Sequence, residues 1–205
     1  MDEEPSLRER KKRETRQRIS DIATGLFAER GFDAVTVTEV ARAAGVSAMT
    51  VFNYFPRKED LFLDRIPQAV ELLAGAVRDR APGESPLTAL RGLALRLLAE
   101  RHPLGGVGET FAPFWRVVVD SPALRARARE GVEEAERALA AALAESGAPG
   151  PDLLAALVVA AYRTVFAASV RRLMTGDALE EVARDHRTAL ETAFTALERT
   201  GLDAP

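Results

Sequence analysis

Apolar residues recur along most of this chain at intervals of three and four, the spacing that puts them on one face of a helix. Ile19, Ile22, Ala23, Leu26 and Phe27 make the first such stripe. It follows a capping-box pair, Ser6 with Glu9, with Pro5 just outside, and Gly31 ends it. Thr36 and Glu39 repeat the capping-box pattern, predicting a second helix from Val37 or Thr38 to Ala44. Gly45 then turns the chain, Val46 points inward, and Ser47 caps a third helix that runs to about Phe55, before Pro56.

A fourth helix is expected from about Lys58, with Leu61, Phe62, Ile66, Val70, Leu73 and Val77 as its apolar positions. Pro67 lies within it. Proline lacks an N–H and its ring meets the carbonyl of Leu63, so a kink or break is predicted near residues 63–67. The alternative is a proline tolerated where two helices meet. Ser85-Pro86, Ser121-Pro122 and Gly150-Pro151 each read as an N-cap followed by proline at the first helical position. Asp177 with Glu180, after Gly176, reads as another capping box. The helices that follow are about 84–101, 109–119, 122–146, 151–174 and 178–200. No strand-like alternation, internal repeat or low-complexity linker interrupts them, so the expected fold is all-α with about nine helices. The ends, residues 1–5 and 202–205, are expected to be disordered.

Composition narrows the chemistry. Of 205 residues 47% are hydrophobic, enough for a sizeable core, and none is cysteine, which removes disulfides, thiolate metal sites and cysteine nucleophiles together. The two histidines stand 84 residues apart, a poor basis for a metal site. The N-terminus has no apolar core of a signal peptide, and no run approaches the roughly 18 apolar residues of a membrane span. The expected location is cytoplasmic, with no membrane partner. No nucleophile–base pair, paired carboxylates, Walker pattern or glycine fingerprint after a strand is found, so no enzyme is expected, and no cofactor or metal.

Charge is distributed unevenly. Residues 5–58 carry 11 Lys/Arg against 6 Asp/Glu, whereas residues 59–205 carry 17 against 22. Arg8, Arg10, Lys11, Lys12, Arg13, Arg16 and Arg18 crowd ahead of the first apolar stripe. Such a run by itself reads equally as a solvated face. An acidic chain with a basic first quarter suits one that touches nucleic acid with one end only.

Residues 36–58, TVTEVARAAGVSAMTVFNYFPRK, hold two short helices joined at a glycine, the pattern of a helix-turn-helix. Val51 and Phe55 suit the buried side of the second of these. Thr50, Asn53 and Tyr54 offer hydroxyl and amide groups to phosphates, and Lys58 adds a cation. Ala48, Met49 and Phe52 have no base-edge donors, so readout by them would be apolar contact, as with thymine methyls; ordinary core is the alternative for Met49 and Phe52.

The run TVTEVARAAGVSAMTVFNYFPRKEDL, preceded by LFAERGFDA, closely resembles the N-terminal DNA-binding domain of the TetR/AcrR family of transcriptional regulators over roughly residues 15–63. The resemblance implies phosphate contacts at Thr36, Thr50, Asn53, Tyr54 and Lys58, and base contacts at Thr38, Ala48, Met49 and Phe52. Where the family often has a serine before Lys58 to cap the next helix, this chain has Arg57. The division implied is a helix-turn-helix DNA-binding domain at 6–57 and a larger helical ligand-binding and dimerisation domain at 58–201.

In that larger part, small residues line two late helices: Leu153, Leu157, Ala160, Ala161, Thr164 and Ala168, then Ala189, Ala193, Ala196 and Leu197. Paired across a two-fold axis they would make the four-helix dimer interface the family uses, although such helices also form good monomer cores. The ligand candidates are His102, Phe111, Phe114, Trp115, Arg116, Tyr162, Arg163 and Phe166, with the loop at 102–108 as an entrance. The aromatics are core by default; the two arginines become informative if buried, since a buried guanidinium wants an anion. The function implied is that of a ligand-responsive repressor: a homodimer released from a pseudo-palindromic double-stranded DNA operator by a small apolar or amphipathic effector. A helical ligand-binding or scaffold protein that no longer reads DNA is the alternative.

Overall fold

Side-chain caps decide where the first three helices begin. In the computed structural model, which describes residues 6–202, Ser6 accepts the N–H of Glu9 at 3.3 Å and opens α1 (Leu7–Arg30). Thr36 accepts the N–H of Glu39 at 3.2 Å, and the Glu39 carboxylate accepts the N–H of Thr36 at 2.8 Å, so both halves of the capping box open α2 (Val37–Ala43). Ser47 takes the N–H of Thr50 at 3.0 Å to start α3 (Ala48–Tyr54). Gly45 turns the chain between α2 and α3 at φ +65°, a conformation glycine adopts without a Cβ penalty.

The expected fourth helix does not begin at Lys58. Glu59–Leu61 form a single 3-10 turn, and α4 covers Ile66–Arg78. Pro67 therefore stands in the first turn of α4, where a backbone N–H would have no helical partner anyway. The break expected near residues 63–67 is therefore present, with non-helical backbone at 62–65 and the proline where the 3-10 turn gives way to α4. The remaining helices are α5 (Pro86–Ala99), α6 (Phe111–Asp120), α7 (Pro122–Glu145), α8 (Pro151–Thr175) and α9 (Leu179–Glu198). Among the described residues every helix and turn of the expected all-α fold is present, with no strand.

Two local expectations fail. Asp177 does not cap α9; its carboxylate accepts from Arg172 at 2.6 Å, Glu180 pairs with Arg101, and Ala178 stands at the N-cap without a side-chain bond. Arg172 outcompetes a backbone N–H because a charge-assisted bond is the stronger. Leu202, expected to be disordered, packs against buried residues of the C-terminal helices. Residues 1–5 and 203–205 lie outside the described residues.

The chain forms two compact units. One runs up to Asp64 and takes in Val117–Arg127; the other comprises Arg65–Arg116 and the residues from Ala128 on. In the first, Ile19, Ala23 and Phe27 of α1, Val40 of α2, and Val51 and Phe55 are fully or almost fully buried together with Leu61 and Phe62. The Phe27 ring meets Phe32 at 4.9 Å and Phe62 at 5.8 Å between centroids. Each of the larger of these side chains stabilises the unit by about 1.5–3 kcal/mol, which is how helices of seven residues persist at all. Arg127, 8% exposed, donates to Asp60 at 2.7 Å and ties the 117–127 segment to the 3-10 turn.

In the second unit α5, α8 and α9 pack around Leu87, Leu90, Leu154, Val158, Leu190 and Phe194, with Leu139 and Leu143 of α7. Ile66 lies so close to Gly131 that a Cβ there would come 2.7 Å from Ile66 Cδ1. By length and composition α8 is apolar enough to cross a membrane, which the sequence reading did not anticipate. Its Leu154, Ala155, Val158, Val159, Val165 and Val170 are instead buried in this unit.

Candidate nucleic-acid interface and aromatic cluster

The turn of α3 separates what it buries from what it shows. Val51 and Phe55 have no more than 1% exposure, while Met49 is 69% and Phe52 46% exposed. Neither Met49 nor Phe52 is core. Thr38 and Asn53 are exposed; Ala48, Thr50 and Tyr54 are half-buried. A helix of seven residues that turns both its large unpaired apolar side chains to solvent presents a surface without a protein partner in its own unit.

Several hydroxyls on this surface are already engaged. Thr36 Oγ1 lies 2.9 Å from Glu39 Oε2, and Thr50 Oγ1 lies 2.8 Å from Ser47 Oγ. Each retains acceptor or donor capacity beyond that bond. Lys58 is committed further: its Nζ donates to the carbonyl of Phe32 at 2.6 Å and sits 4.2 Å from the centre of the Phe32 ring. Burial lowers its pKa from the ordinary lysine value. Glu39 is held down to about 2, first by the N–H of Thr36 and then by Arg30 at 2.8 Å.

The basic half of α1 divides as well. Arg8, Arg10, Lys11, Lys12, Arg13 and Arg18 are exposed, with Arg10 3.7 Å from Glu14. Arg16 alone of this run is drawn into the fold, donating to the Asp64 carbonyl at 3.2 Å with its guanidinium 4.4 Å from the Phe55 ring centre. At Arg57, where the family often has a serine, the backbone N–H donates to Asp60 at 3.2 Å, and the 3-10 turn that follows has Lys58 at its N-cap with no side-chain cap bond.

The ligand candidates of the second unit sort into a cluster and outliers. Phe166 of α8 lies 5.9 Å from Phe111, 5.4 Å from Trp115 and 6.1 Å from Tyr162; Phe114 adds an edge contact with Trp115 at 5.7 Å. Tyr162 donates its hydroxyl to the Leu104 carbonyl and pins the 102–108 loop, and burial raises its pKa. His102 is half-buried in that loop, where its Nδ1 accepts the N–H of Leu104 at 3.1 Å; desolvation and then Arg65 lower its pKa. Arg116 and Arg163 are exposed, and Arg116 donates to the Met174 carbonyl at 3.2 Å, so neither is a buried guanidinium seeking an anion.

One cluster residue escaped the sequence reading. His186 of α9, 1% exposed, stands in the stripe Val182, His186, Leu190, Phe194. A histidine on the apolar spacing of a helix was the available signal. Arg127 escaped for a different reason: its partner Asp60 is 67 residues away in sequence. On the small-residue faces, Leu153 is 55% exposed and Ala160, Thr164 and Ala196 are exposed, whereas Leu197 belongs to the core of its own unit.

Residues 19–64 match the family described as bacterial regulatory proteins, tetR family. The chain is 32% identical over 166 residues to the HTH-type transcriptional regulator TcmR of Streptomyces glaucescens, covering 78% of this chain and 74% of that protein. Among solved structures it is similar to NalD, the secondary repressor of the MexAB-OprM multidrug efflux pump in Pseudomonas aeruginosa, with a TM-score of 0.58 at 23% identity over 89% of this chain and 96% of that one. It is similar also to SmeT of Stenotrophomonas maltophilia in complex with triclosan, with a TM-score of 0.59 at 18% identity over 89% and 90%. The buried and exposed sides of α3, the capped helices that carry it and the likeness to TcmR over most of both chains lead to one conclusion: this chain belongs to the TetR family of helix-turn-helix transcriptional regulators.

Proposed function

We propose that the protein is a homodimeric repressor that holds a pseudo-palindromic operator and releases it when a small apolar or amphipathic molecule binds its C-terminal helices. The observation that carries this reading is the exposed apolar face of α3, Met49 and Phe52, set on a buried Val51 and Phe55. In the reading, residues 6–57 contact DNA. Ala48, Met49, Phe52 and Thr38 meet base edges, and Thr36, Thr50, Asn53, Tyr54 and Lys58 meet phosphates. Residues 58–201 hold the effector and the second copy. The aromatic group around Phe166 is the effector site, with Phe111, Phe114, Trp115 and Tyr162 as its walls and His102, Arg116 and Arg163 toward its rim.

The dimer follows from the task. One helix-turn-helix reads too few base pairs for a genomic site, and two-fold pairing supplies a second half-site. Exposed Leu153, Ala160, Thr164 and Ala196 suit close helix approach across such an axis. The effector acts by population shift: it must prefer the conformer whose reading helices are wrongly spaced, since equal affinity for both conformers moves nothing. The protein acts in the cytoplasm and carries out no catalysis in this reading.

Selection of bound sequences from a random DNA pool tests it. The expected result is enrichment of a sequence with two inverted half-sites, retained in a salt-sensitive way by a dimer. Salt-insensitive retention, or no enriched sequence, would reject the regulator reading in favour of a helical ligand-binding protein that does not read DNA.

A further inference from the structure

The side chain of His186 is buried with one of its two nitrogens unsatisfied. Nδ1 lies 2.8 Å from Ser169 Oγ, while Nε2 has no hydrogen-bond partner. Buried polar atoms without partners are uncommon in folded proteins, and each asks for a reason. Packing alone supplies none here, because a leucine or phenylalanine would continue the stripe of Val182, Leu190 and Phe194 without an orphaned nitrogen.

The neighbours of the ring show where its free nitrogen points. A Cβ on Gly106, which has φ +82°, would come 2.5 Å from His186 Cε1, 3.2 Å from Nε2 and 3.0 Å from Phe166 Cδ2. The Cε1–Nε2 edge thus faces the 102–108 loop and the ring at the centre of the aromatic cluster. Ser169 is buried and its hydroxyl has Nδ1 as its hydrogen-bond partner. When the Ser169 hydroxyl donates to Nδ1, the imidazole proton is left on Nε2, and this is the arrangement the proposal takes. Burial holds the imidazole pKa down to about 4, so the ring is neutral at ordinary pH.

We propose that Nε2–H of His186 is the hydrogen-bond donor for the effector. The effector is then a flat, largely apolar molecule with a carbonyl or similar acceptor oxygen, bound between His186 and the Phe166 cluster after the Gly105–Gly106 strip moves aside. The inference rests on the ligand-responsive reading above and deepens it by naming the ligand's chemistry. The loop is held by Tyr162, which donates to Leu104, and by the bond from Gly105 N–H to the His102 carbonyl at 2.7 Å, contacts that ligand entry would exchange. Ser169 acts as a positioning residue, fixing the tautomer.

The test uses the full chain and two probes of one skeleton: 1-tetralone, a bicyclic aromatic ketone, and tetralin, the same hydrocarbon without the carbonyl. Trp115, the only tryptophan, stands against Phe166 and reports occupancy by fluorescence. Nitrogen-15 NMR of the imidazole reports the tautomer without any ligand. The expected results are an Nε2–H tautomer in the free protein, and ketone binding tighter than hydrocarbon binding by about tenfold, the worth of one such hydrogen bond. His186→Phe should abolish that preference and His186→Gln, which keeps an N–H donor, should retain part of it. An Nδ1–H tautomer, no ketone binding, or a preference that survives His186→Phe would overturn the proposal. Sequence-preferring DNA retention by the same sample is scored separately: if it stands while ketone binding fails, only this inference falls, and the reverse result removes the regulator reading alone.

Discussion

Lys58 and Phe32 are joined twice, through the lysine Nζ to the phenylalanine carbonyl at 2.6 Å and through the same ammonium over its ring at 4.2 Å. A residue assigned to phosphate contact is therefore also a brace between the α1–α2 connection and the 3-10 turn. The Lys58→Ala variant should lose stability as well as DNA affinity, by about 1.5–3 kcal/mol for a charge-assisted bond. Urea unfolding measures the first loss. Filter binding should show the second as a similar reduction for all DNA sequences, and unchanged stability would remove the brace.

Met49→Ala should behave in the opposite way. With 69% of its surface exposed, Met49 supports little of the fold, and its truncation should leave stability within about 0.5 kcal/mol while altering which bases are preferred. Pool selection with the variant reads this directly. A change in overall affinity with the same preferred sequence would contradict the base-reading role.

Glu39 predicts a pH dependence. Its folded pKa is lowered from 4.5 to about 2, principally by the N–H of Thr36. A carboxylate depressed by folding contributes stability that is present above its unfolded pKa and is lost as pH falls through the folded value. The loss should span pH 4.5 down to 2. Comparing acid unfolding of the native protein with Glu39→Gln should show a flatter profile for the variant over that window.

Arg127 and Asp60 make a mostly buried pair, with side chains 10% and 18% exposed. Removing one member leaves the other charge without compensation, so Arg127→Ala should destabilise by about 3 kcal/mol. Asp60→Asn alone should be costly too, and the double variant should cost less than the sum of the singles. Strict additivity in thermal unfolding would show that the pair does not couple.

Much of this molecule could be read in its sequence because the relevant physics is local. The capping boxes at Ser6 and Thr36, the serine cap at Ser47 and the Ser-Pro starts of α5 and α7 each need only neighbours within three residues. The exposed face of α3 follows from the 3.6-residue period once Val51 and Phe55 are taken as the anchor. What could not be read depends on distant partners. Arg172 draws Asp177 away from its cap, and Lys58 is drawn to Phe32. The orphaned nitrogen of His186 is likewise visible only when Ser169 and Gly106 are brought beside it.

The two sides of α3 have one more consequence. Its stability rests on Ser47, Val51 and Phe55, and its exposed positions Met49, Phe52 and Asn53 take little part in holding the fold. Substitutions at those positions are therefore nearly free of folding cost. Under the proposed base-reading role, descendants of such a protein acquire new DNA targets by drifting through exposed residues of one short helix, without first passing through an unstable intermediate.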